Sequence, residues 1–211
     1  MIDFNLYLVT DRKQNQGDFL HAVEQALQGG VGAVQLREKD LPVRALLDLA
    51  GDLRSLTRDY GARLFINDRL DVAMAVKADG VHLGQQSLPV EAVRRVAGNS
   101  LRIGVSTHRL SEAREAEKEG ADFIVFGPVY ETPSKKVYGP PVGTVRLEEV
   151  IRNVRIPVFA IGGIRSENLP EVLSGGASGV AVISAIWGAE SITEAARKMV
   201  SELQVVRLSS G

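Results

Sequence analysis

Eight short apolar runs, separated by longer charged segments, constrain the fold of this 211-residue chain more than any other feature. The runs are nearly continuous in Val, Ile, Leu and Phe, which is typical of parallel strands covered on both faces. The intervening segments carry apolar residues three and four positions apart, as amphipathic helices do, most clearly over residues 88–97 and 110–119. The predicted strands are residues 6–9, 33–36, 64–66, 80–83, 102–105, 123–126, 158–161 and 180–183.

Eight strand–helix units predict an α/β fold of the (β/α)8 TIM-barrel type, near the lower size limit of that fold. The alternative is an open, doubly wound parallel sheet. We favour the barrel because the strand count is eight and no opening Gly-x-Gly-x-x-Gly fingerprint is present. No linker or low-complexity segment divides the chain, so we predict one barrel domain over residues 1–211.

A weak internal repeat supports this organisation. Stretches rich in Gly, Ala and Asp or Ser stand directly before or at the start of four predicted strands, at residues 29–33, 78–80, 120–122 and 176–179. Small residues of this kind end a helix and let the chain turn tightly into the next strand.

Composition excludes several classes of protein. With 25 basic and 26 acidic residues the net charge is -1, so no charge surplus points to nucleic acid or an anionic membrane. The absence of cysteine excludes disulfides, thiolate catalysis and cysteine-ligated zinc. No stretch resembles a signal peptide or reaches the length of a membrane span. We therefore expect a cytoplasmic protein that binds neither nucleic acid nor membrane, and a homo-oligomer is left open.

In a barrel of this type, catalytic groups stand at the carboxyl ends of the strands and on the loops that follow. This rule selects polar residues along the whole chain and brings them to one mouth. Following the strands in order, they are Gln35, Arg37 and Lys39; Asn67 and Asp68; Ser87; Ser106 and His108; Thr132, Ser134 and Lys135; Gly162 and Gly163; and Ser184.

The glycine pair Gly162-Gly163, together with Ile183 and Ser184, predicts a phosphate site. Glycines let backbone N–H groups approach an anion closely, and the last two loops of these barrels commonly bind phosphate. The alternative is that Gly162-Gly163 is only a tight turn between strand and helix.

A cationic set of Arg37, Lys39 and Lys135 is suited to a diphosphate. Taken singly, each of these residues is as consistent with a solvated surface charge or an ion pair. The neighbouring Asp68 is a candidate Mg²⁺ ligand, since Mg²⁺ takes one or two carboxylates with phosphate oxygens and water. The alternative role of Asp68 is to cap the following helix.

The three histidines carry less information. His21 falls in a predicted outer helix, and His82, inside the fourth strand, is predicted to be a hydrogen-bonded core residue. His108 follows the fifth strand near the mouth, where it could act as an acid or base or anchor a loop.

Several motifs, in order and spacing, resemble those of the thiamine phosphate synthase (thiamine-phosphate pyrophosphorylase) family over nearly the full chain. They are VQLREK at 34–39, NDR at 67–69, ADGVHLGQ at 78–85, GVSTH at 104–108, GAD at 120–122, GPVY at 127–130, the loop with Thr132, Ser134 and Lys135, and AIGGI at 160–164.

The resemblance implies a Mg²⁺-dependent transferase that joins 4-amino-2-methyl-5-hydroxymethylpyrimidine diphosphate to 4-methyl-5-(2-phosphoethyl)thiazole, releasing diphosphate before the thiazole nitrogen attacks. Catalytic roles would fall to Arg37, Lys39, Ser106 and Lys135, and metal binding to Asp68. The pyrimidine diphosphate would bind Gln35, Arg37, Lys39, Asn67, Ser106 and Lys135, and the thiazole phosphate would bind Thr132, Ser134, Gly163, Ile183 and Ser184.

One position and one loop depart from the family pattern. Ser87 occupies the place of a second Mg²⁺-binding Asp, and a hydroxyl is a weaker Mg²⁺ ligand than a carboxylate. The loop over residues 138–143 also differs, and Glu131-Thr132 with Lys135-Lys136 resembles the related thiazole tautomerases. In that group a catalytic histidine stands where this chain has Pro128. Tautomerase chemistry would then need His108 as a substitute, and it would not need all five candidate diphosphate-site residues, Arg37, Lys39, Asn67, Asp68 and Lys135. We therefore favour the synthase over a tautomerase or a catalytically silent barrel that binds a thiamine precursor.

Overall fold

The computed structural model describes residues 2–14, 17–132 and 140–209. Within them, eight parallel strands close a barrel in chain order, and the last strand pairs with the first. The barrel prediction is confirmed, and the open doubly wound sheet is excluded because the two would-be edge strands are bonded to each other. Among the described helices, none has both the length and the apolar content needed to cross a membrane.

Each strand is followed by one or more helices on the outside of the barrel. The strands are β1 (Leu6–Val9), β2 (Ala33–Leu36), β3 (Arg63–Asn67), β4 (Gly80–Leu83), β5 (Arg102–Thr107), β6 (Phe123–Phe126), β7 (Val158–Ile161) and β8 (Gly179–Val182). The described helices are α1 (Phe19–Gln28), α2 (Val43–Asp59), α3 (Leu70–Ala75), α4 (Val90–Ala97), α5 (Leu110–Lys118), α6 (Gly143–Asn153), α7 (Leu169–Ser174), α8 (Ser184–Trp187) and α9 (Ile192–Ser209), with 3-10 turns at Arg12–Gln14 and Ser166–Asn168.

The predicted strand limits agree with the structure for β1, β2, β4, β6 and β7. β3 is longer by one residue at each end, and β5 continues to Thr107. The prediction for β8 was wrong by one position, because Ile183 leaves the sheet (φ -121°, ψ -87°) and stands directly before α8. Sequence hydrophobicity cannot detect this, since Ile183 is as apolar as the strand that it follows.

Aromatic side chains fill the lower part of the barrel interior. Tyr7, Phe65, Phe123 and Phe159 are fully buried, and Phe4 lies against all four with ring centroids 5.2 to 5.8 Å apart. Most of the pairs among these rings are edge-to-face, the arrangement that aromatic quadrupoles prefer. The interior is therefore a packed core, as expected for this fold.

Two glycines make room for these rings. A Cβ atom on Gly104 would lie 2.3 Å from Cζ of Phe123, and one on Gly80 would lie 2.3 Å from Cε1 of Phe65. No side chain fits at either position without displacing a ring that is itself buried. The glycines at these strand positions are thus explained by packing.

The internal repeat is structural and lies at the opposite end of the barrel from the strands' carboxyl ends. Asp79 accepts a hydrogen bond from the N–H of Leu64 (2.8 Å), and Asp122 accepts one from the N–H of Ile103 (2.8 Å). Each carboxylate also binds an arginine of an outer helix, Arg94 in the case of Asp122 (2.6 Å). Each Asp thus ties the start of one strand to its neighbour and to a helix.

We expect Asp122→Ala to lower the free energy of unfolding by about 2 kcal/mol, because it leaves the Ile103 N–H without its acceptor and removes the ion pairs with Arg94 and Arg102. Urea unfolding measures the change. The matched control is Asp71→Ala, which removes an exposed ion pair with Arg69 and should cost less than about 0.5 kcal/mol. Equal effects of the two substitutions would contradict the assigned role of Asp122.

Candidate active site

Above the aromatic layer, the barrel mouth divides into a polar half and an apolar half. The polar half comes from β2 to β5 and contains Gln35, Asn67, His82 and Ser106. The apolar half is lined by Val9, Val125 and Ile161 from β1, β6 and β7, and by Ile183, which follows β8. Polar groups from four consecutive strands therefore converge on one side of the mouth.

A chain of hydrogen bonds connects the polar half to the core. Nε2 of Gln35 donates to the hydroxyl of Tyr7 (3.1 Å), which lies 3.4 Å from Nδ1 of His82. Nε2 of His82 lies 2.9 Å from Oγ of Ser106. Gln35, Tyr7 and His82 are almost completely buried, whereas Ser106 is half-buried at the mouth.

The prediction that His82 is a hydrogen-bonded core residue is confirmed. Burial lowers the pKa of its imidazole to about 3, because the charged form would be desolvated. Asp68 and Arg37 lie near enough to influence this pKa, the first raising it and the second lowering it. The ring is consequently neutral at physiological pH.

Asp68 forms a turn at the end of β3 with a positive φ of 60°. Its Oδ1 accepts a hydrogen bond from the hydroxyl of Ser87, and its Oδ2 accepts one from Nδ2 of Asn67 (2.8 Å). The helix α3 begins at Leu70 without a side-chain cap, so the capping alternative for Asp68 is not realised. A left-handed Asp at a strand end is a feature that functional sites often retain.

Ser87 reaches Asp68 from the loop after β4. Its hydroxyl accepts a hydrogen bond from the N–H of Gly84 (2.6 Å) while it donates to Asp68. Within the described residues no group of three or more acidic or histidine side chains forms a metal cluster. One carboxylate, with the Ser87 hydroxyl beside it, does fit Mg²⁺ that keeps water and shares phosphate oxygens with a substrate.

The loop after β2 is held by a buried carboxylate that the sequence analysis did not single out. The hydroxyl of Thr10 accepts a hydrogen bond from the N–H of Arg37 (2.9 Å) and donates to Oε1 of Glu38 (2.8 Å). The N–H of Arg12 also donates to Glu38 (3.1 Å), whose side chain is only 3% exposed. In the sequence Glu38 looks like one member of a surface charge run, because its partners Thr10 and Arg12 are distant in the chain, in the segment after β1.

The two cations beside Glu38 are differently placed. Arg37 is half-buried and close to His82, whereas Lys39 is exposed. Neither side chain makes an ion pair or a hydrogen bond with any part of the chain that the structure describes. Among the described residues the ion-pair alternative is thus not observed for Arg37 or Lys39, whereas the exposed Lys39 still fits the alternative of a solvated surface charge.

The glycine turn after β7 requires glycine at two successive positions. Gly162 and Gly163 have φ of 95° and 65°, and added Cβ atoms would lie 2.5 Å from Cβ of Pro128 and 2.7 Å from Cβ of Tyr130. Nδ2 of Asn168 donates to the carbonyl of Gly163 (2.9 Å) and fixes the turn. The close packing agrees with the interpretation of Gly162-Gly163 as a tight turn. Phosphate binding at this turn stays a prediction.

The loop after β6 is held at both ends by one carboxylate. Tyr130 donates to Oε2 of Glu171 (2.7 Å), and Thr144 donates to Oε1 of the same residue (3.1 Å). Thr132 is half-buried beyond Tyr130. The predicted site residues Ser134 and Lys135 lie outside the described residues.

His108 anchors the neighbouring loop. Its Nδ1 donates to the carbonyl of Gly127, and its backbone N–H donates to Glu112 (2.7 Å). The anchoring alternative therefore describes His108 in this structure. His21 is exposed on α1, as predicted.

Burial raises the pKa of Glu38 above its ordinary value of 4.5, although the hydrogen bonds from Thr10 and Arg12 oppose the shift. The folded state therefore holds this proton more tightly, and stability should fall as pH rises from 4.5 through the raised pKa. We expect Glu38→Gln to remove that decline, as measured by thermal unfolding against pH.

The control for this profile is Asp40→Asn on the same loop. Lys13 lowers the pKa of Asp40, so its contribution has the opposite sign and is lost as pH falls through 3.8 and below. A wild-type profile that Glu38→Gln leaves unchanged would show that Glu38 is not the group responsible.

Sequence and structure comparisons agree on the family. A sequence model of the thiamine monophosphate synthase family matches residues 6–186. A protein of Geobacter sulfurreducens is 54% identical over 203 residues, which is 96% of this chain and 95% of the relative. A thiamine-phosphate synthase of Syntrophomonas wolfei is 47% identical over 198 residues, 93% of this chain and 95% of the relative.

A solved structure, a thiamine phosphate pyrophosphorylase from Pyrococcus furiosus, superposes with a TM-score of 0.89 at 42% identity and covers 96% of both chains. Both the family model and the relatives therefore place the chain in the thiamine monophosphate synthase family.

Proposed function

We propose that this chain couples 4-amino-2-methyl-5-hydroxymethylpyrimidine diphosphate with 4-methyl-5-(2-phosphoethyl)thiazole to give thiamine phosphate and diphosphate. The observation that carries the proposal is the division of the mouth into a polar half beside Arg37 and an apolar half that ends at the Gly162-Gly163 turn. Two phosphorylated substrates require two such sites next to each other. Membership in the synthase family supports the same activity.

The pyrimidine diphosphate would bind in the polar half. Gln35 and Ser106 offer hydrogen-bonding groups to the ring from β2 and β5. Arg37, Lys39 and Asn67 would bind the diphosphate, joined by Lys135 from the loop after β6. The guanidinium of Arg37, which has no ion-pair or hydrogen-bond partner in the described part of the chain, suits this role because a bidentate cation pairs well with phosphate oxygens.

The Mg²⁺ ion implied by the family would be held by Asp68, with Ser87 in place of a second carboxylate. When bound, Mg²⁺ neutralises the charge that develops on a departing diphosphate. Asn67 already orients Oδ2 of Asp68 and would continue to do so. A single carboxylate predicts weak metal binding unless phosphate oxygens complete the coordination.

The thiazole phosphate would bind the other half of the mouth. Thr132 and Ser134 would contribute from the loop after β6, and Gly163, Ile183 and Ser184 from the last two loops. Glycine at position 163 exposes the backbone to an anion, and the start of α8 adds further N–H groups.

In the coupling itself, the bond between the pyrimidine methylene carbon and the diphosphate oxygen breaks, and diphosphate leaves with the electron pair. The thiazole nitrogen then forms the new bond to that carbon. Arg37, Lys39 and Lys135 would stabilise the leaving group, while Ser106 would hold the ring in line with the thiazole. No general base is needed, which agrees with a neutral, buried His82.

Neither alternative function gains support from the site. Pro128 has no side-chain proton to transfer, and Nδ1 of His108 is bonded to the carbonyl of Gly127. The similar proteins named above are a synthase and a pyrophosphorylase. A tautomerase would also have no use for the cations beside β2.

The first test incubates the purified protein with both precursors, with and without Mg²⁺, and measures thiamine phosphate after oxidation to fluorescent thiochrome. We expect Mg²⁺-dependent product, and loss of at least about 100-fold in activity in Asp68→Asn but not in the matched control Asp71→Asn. No product beside an active reference enzyme would reject the proposed function.

The second test concerns the departure at Ser87. We expect Ser87→Asp to lower the Mg²⁺ concentration for half-maximal activity about fivefold or more, since one added charge near a cation contributes roughly 1 kcal/mol or more. Without Mg²⁺ the variant should be less stable than wild type, because two carboxylates then face each other. Gln86→Asp adds the same charge one residue away and should change neither quantity; an unchanged Mg²⁺ titration in Ser87→Asp would remove Ser87 from the metal site.

A further inference from the structure

We infer that the buried pair Tyr7 and His82 sets the direction of hydrogen bonding across the mouth. In this arrangement Ser106 presents an O–H donor and Gln35 presents a carbonyl acceptor to the substrate ring. Tyr7 and His82 are then positioning residues that select an aminopyrimidine over an oxopyrimidine. The identity of the ring rests on the proposed function, whereas the direction of the hydrogen bonds does not.

The direction begins at Tyr7, which is fully buried. Its hydroxyl accepts a hydrogen bond from Nε2 of Gln35 (3.1 Å). Burial raises the pKa of Tyr7 well above its ordinary value, so the phenol keeps its single proton. Among the described residues the remaining acceptor within reach is Nδ1 of His82 (3.4 Å), and the proton of Tyr7 therefore points there.

The imidazole of His82 connects the hydroxyl of Tyr7 to that of Ser106 through its two ring nitrogens. A neutral imidazole has one N–H, and its other nitrogen accepts. Because Nδ1 accepts from Tyr7, the proton is on Nε2, which donates to Oγ of Ser106 (2.9 Å). The charged groups near the ring are Asp68 and Arg37, which have opposite effects on the imidazole and leave desolvation dominant.

The orientation of His82 determines which hydrogen-bonding groups Ser106 and Gln35 present to the substrate. Since Oγ of Ser106 accepts from His82, its own proton is free to donate towards the mouth. The Oε1 atom of Gln35 has no hydrogen-bond partner among the described residues and is an acceptor. A ring that pairs with both needs a donor facing Gln35 and an acceptor facing Ser106.

A 4-aminopyrimidine has this pattern, because its amino group donates and the adjacent ring nitrogen accepts. In a 4-oxopyrimidine both groups are reversed, so acceptor would face acceptor at Gln35, and Ser106 would have to turn its proton away and accept with its second lone pair. Buried groups left unpaired in this way are the strongest source of discrimination between similar ligands.

The direction is measured without substrate by ¹⁵N NMR of protein labelled at its three histidines, with His82→Gln used for assignment. We expect His82 to remain a neutral Nε2–H tautomer between pH 5 and 8, with His21 as an exposed internal reference. A neutral Nδ1–H tautomer, or titration near the ordinary value of 6.5, would overturn the inference.

The selectivity is measured with the amino and oxo forms of the pyrimidine diphosphate. Wild type should prefer the amino form by on the order of 100-fold in kcat/KM, and Tyr7→Phe should reduce that ratio about tenfold, since the direction is no longer imposed. Phe159→Leu, in the same aromatic cluster, is the control and should leave the ratio unchanged.

If Tyr7→Phe lowers kcat/KM for both rings by the same factor, Tyr7 only packs the core and the inference fails. If wild type forms no thiamine phosphate, the proposed function fails. The inference is then decided by the tautomer of His82 and by competition between the amino and oxo forms of the pyrimidine diphosphate for binding.

Discussion

The structure depends on how its narrow barrel is filled. Five aromatic rings occupy the lower interior, and each fully buried phenylalanine contributes roughly 1.5 to 3 kcal/mol through burial alone. Gly80 and Gly104 give two of these rings their space. Because this layer has no room for polar groups, the polar side chains of the interior are confined to the layer above it. The chemistry is therefore restricted to the mouth by packing.

Tyr7 joins the two layers. Its ring packs among the phenylalanines, and its hydroxyl is the only polar atom of that cluster within the described chain to enter the hydrogen-bond network of the mouth. Rigid packing of the ring fixes where the hydroxyl stands, and the hydroxyl in turn orients Gln35 and His82. Core packing and substrate recognition are connected at this one residue. The Thr10–Glu38 contact has a similar role on the adjacent loop, where it orients the backbone that carries Arg37.

Much of the fold could be predicted from sequence, because strands buried on both faces leave continuous apolar runs, and small residues mark the turns that precede them. The site was predictable at the level of which residues reach the mouth, since strand ends follow from strand positions. The contacts between these residues could not be predicted, because the partners are distant in the chain. Glu38 is bound by Thr10 and Arg12 from the segment after β1, and Ser87 meets Asp68 across two loops. Tyr7 gave no signal beyond that of a core aromatic, and Ile183 carried no mark of leaving its strand.

The central claim is that the mouth has two adjacent sites of different chemistry. A crystal structure of the protein with Mg²⁺, thiazole phosphate and an unreactive analogue of the pyrimidine diphosphate tests it most directly. The account predicts the pyrimidine ring between Gln35 and Ser106, its diphosphate beside Arg37 and Asp68, and the thiazole phosphate at Gly163 and Ser184. A pyrimidine ring bound in the apolar half, or a diphosphate at the Gly162-Gly163 turn, would contradict it.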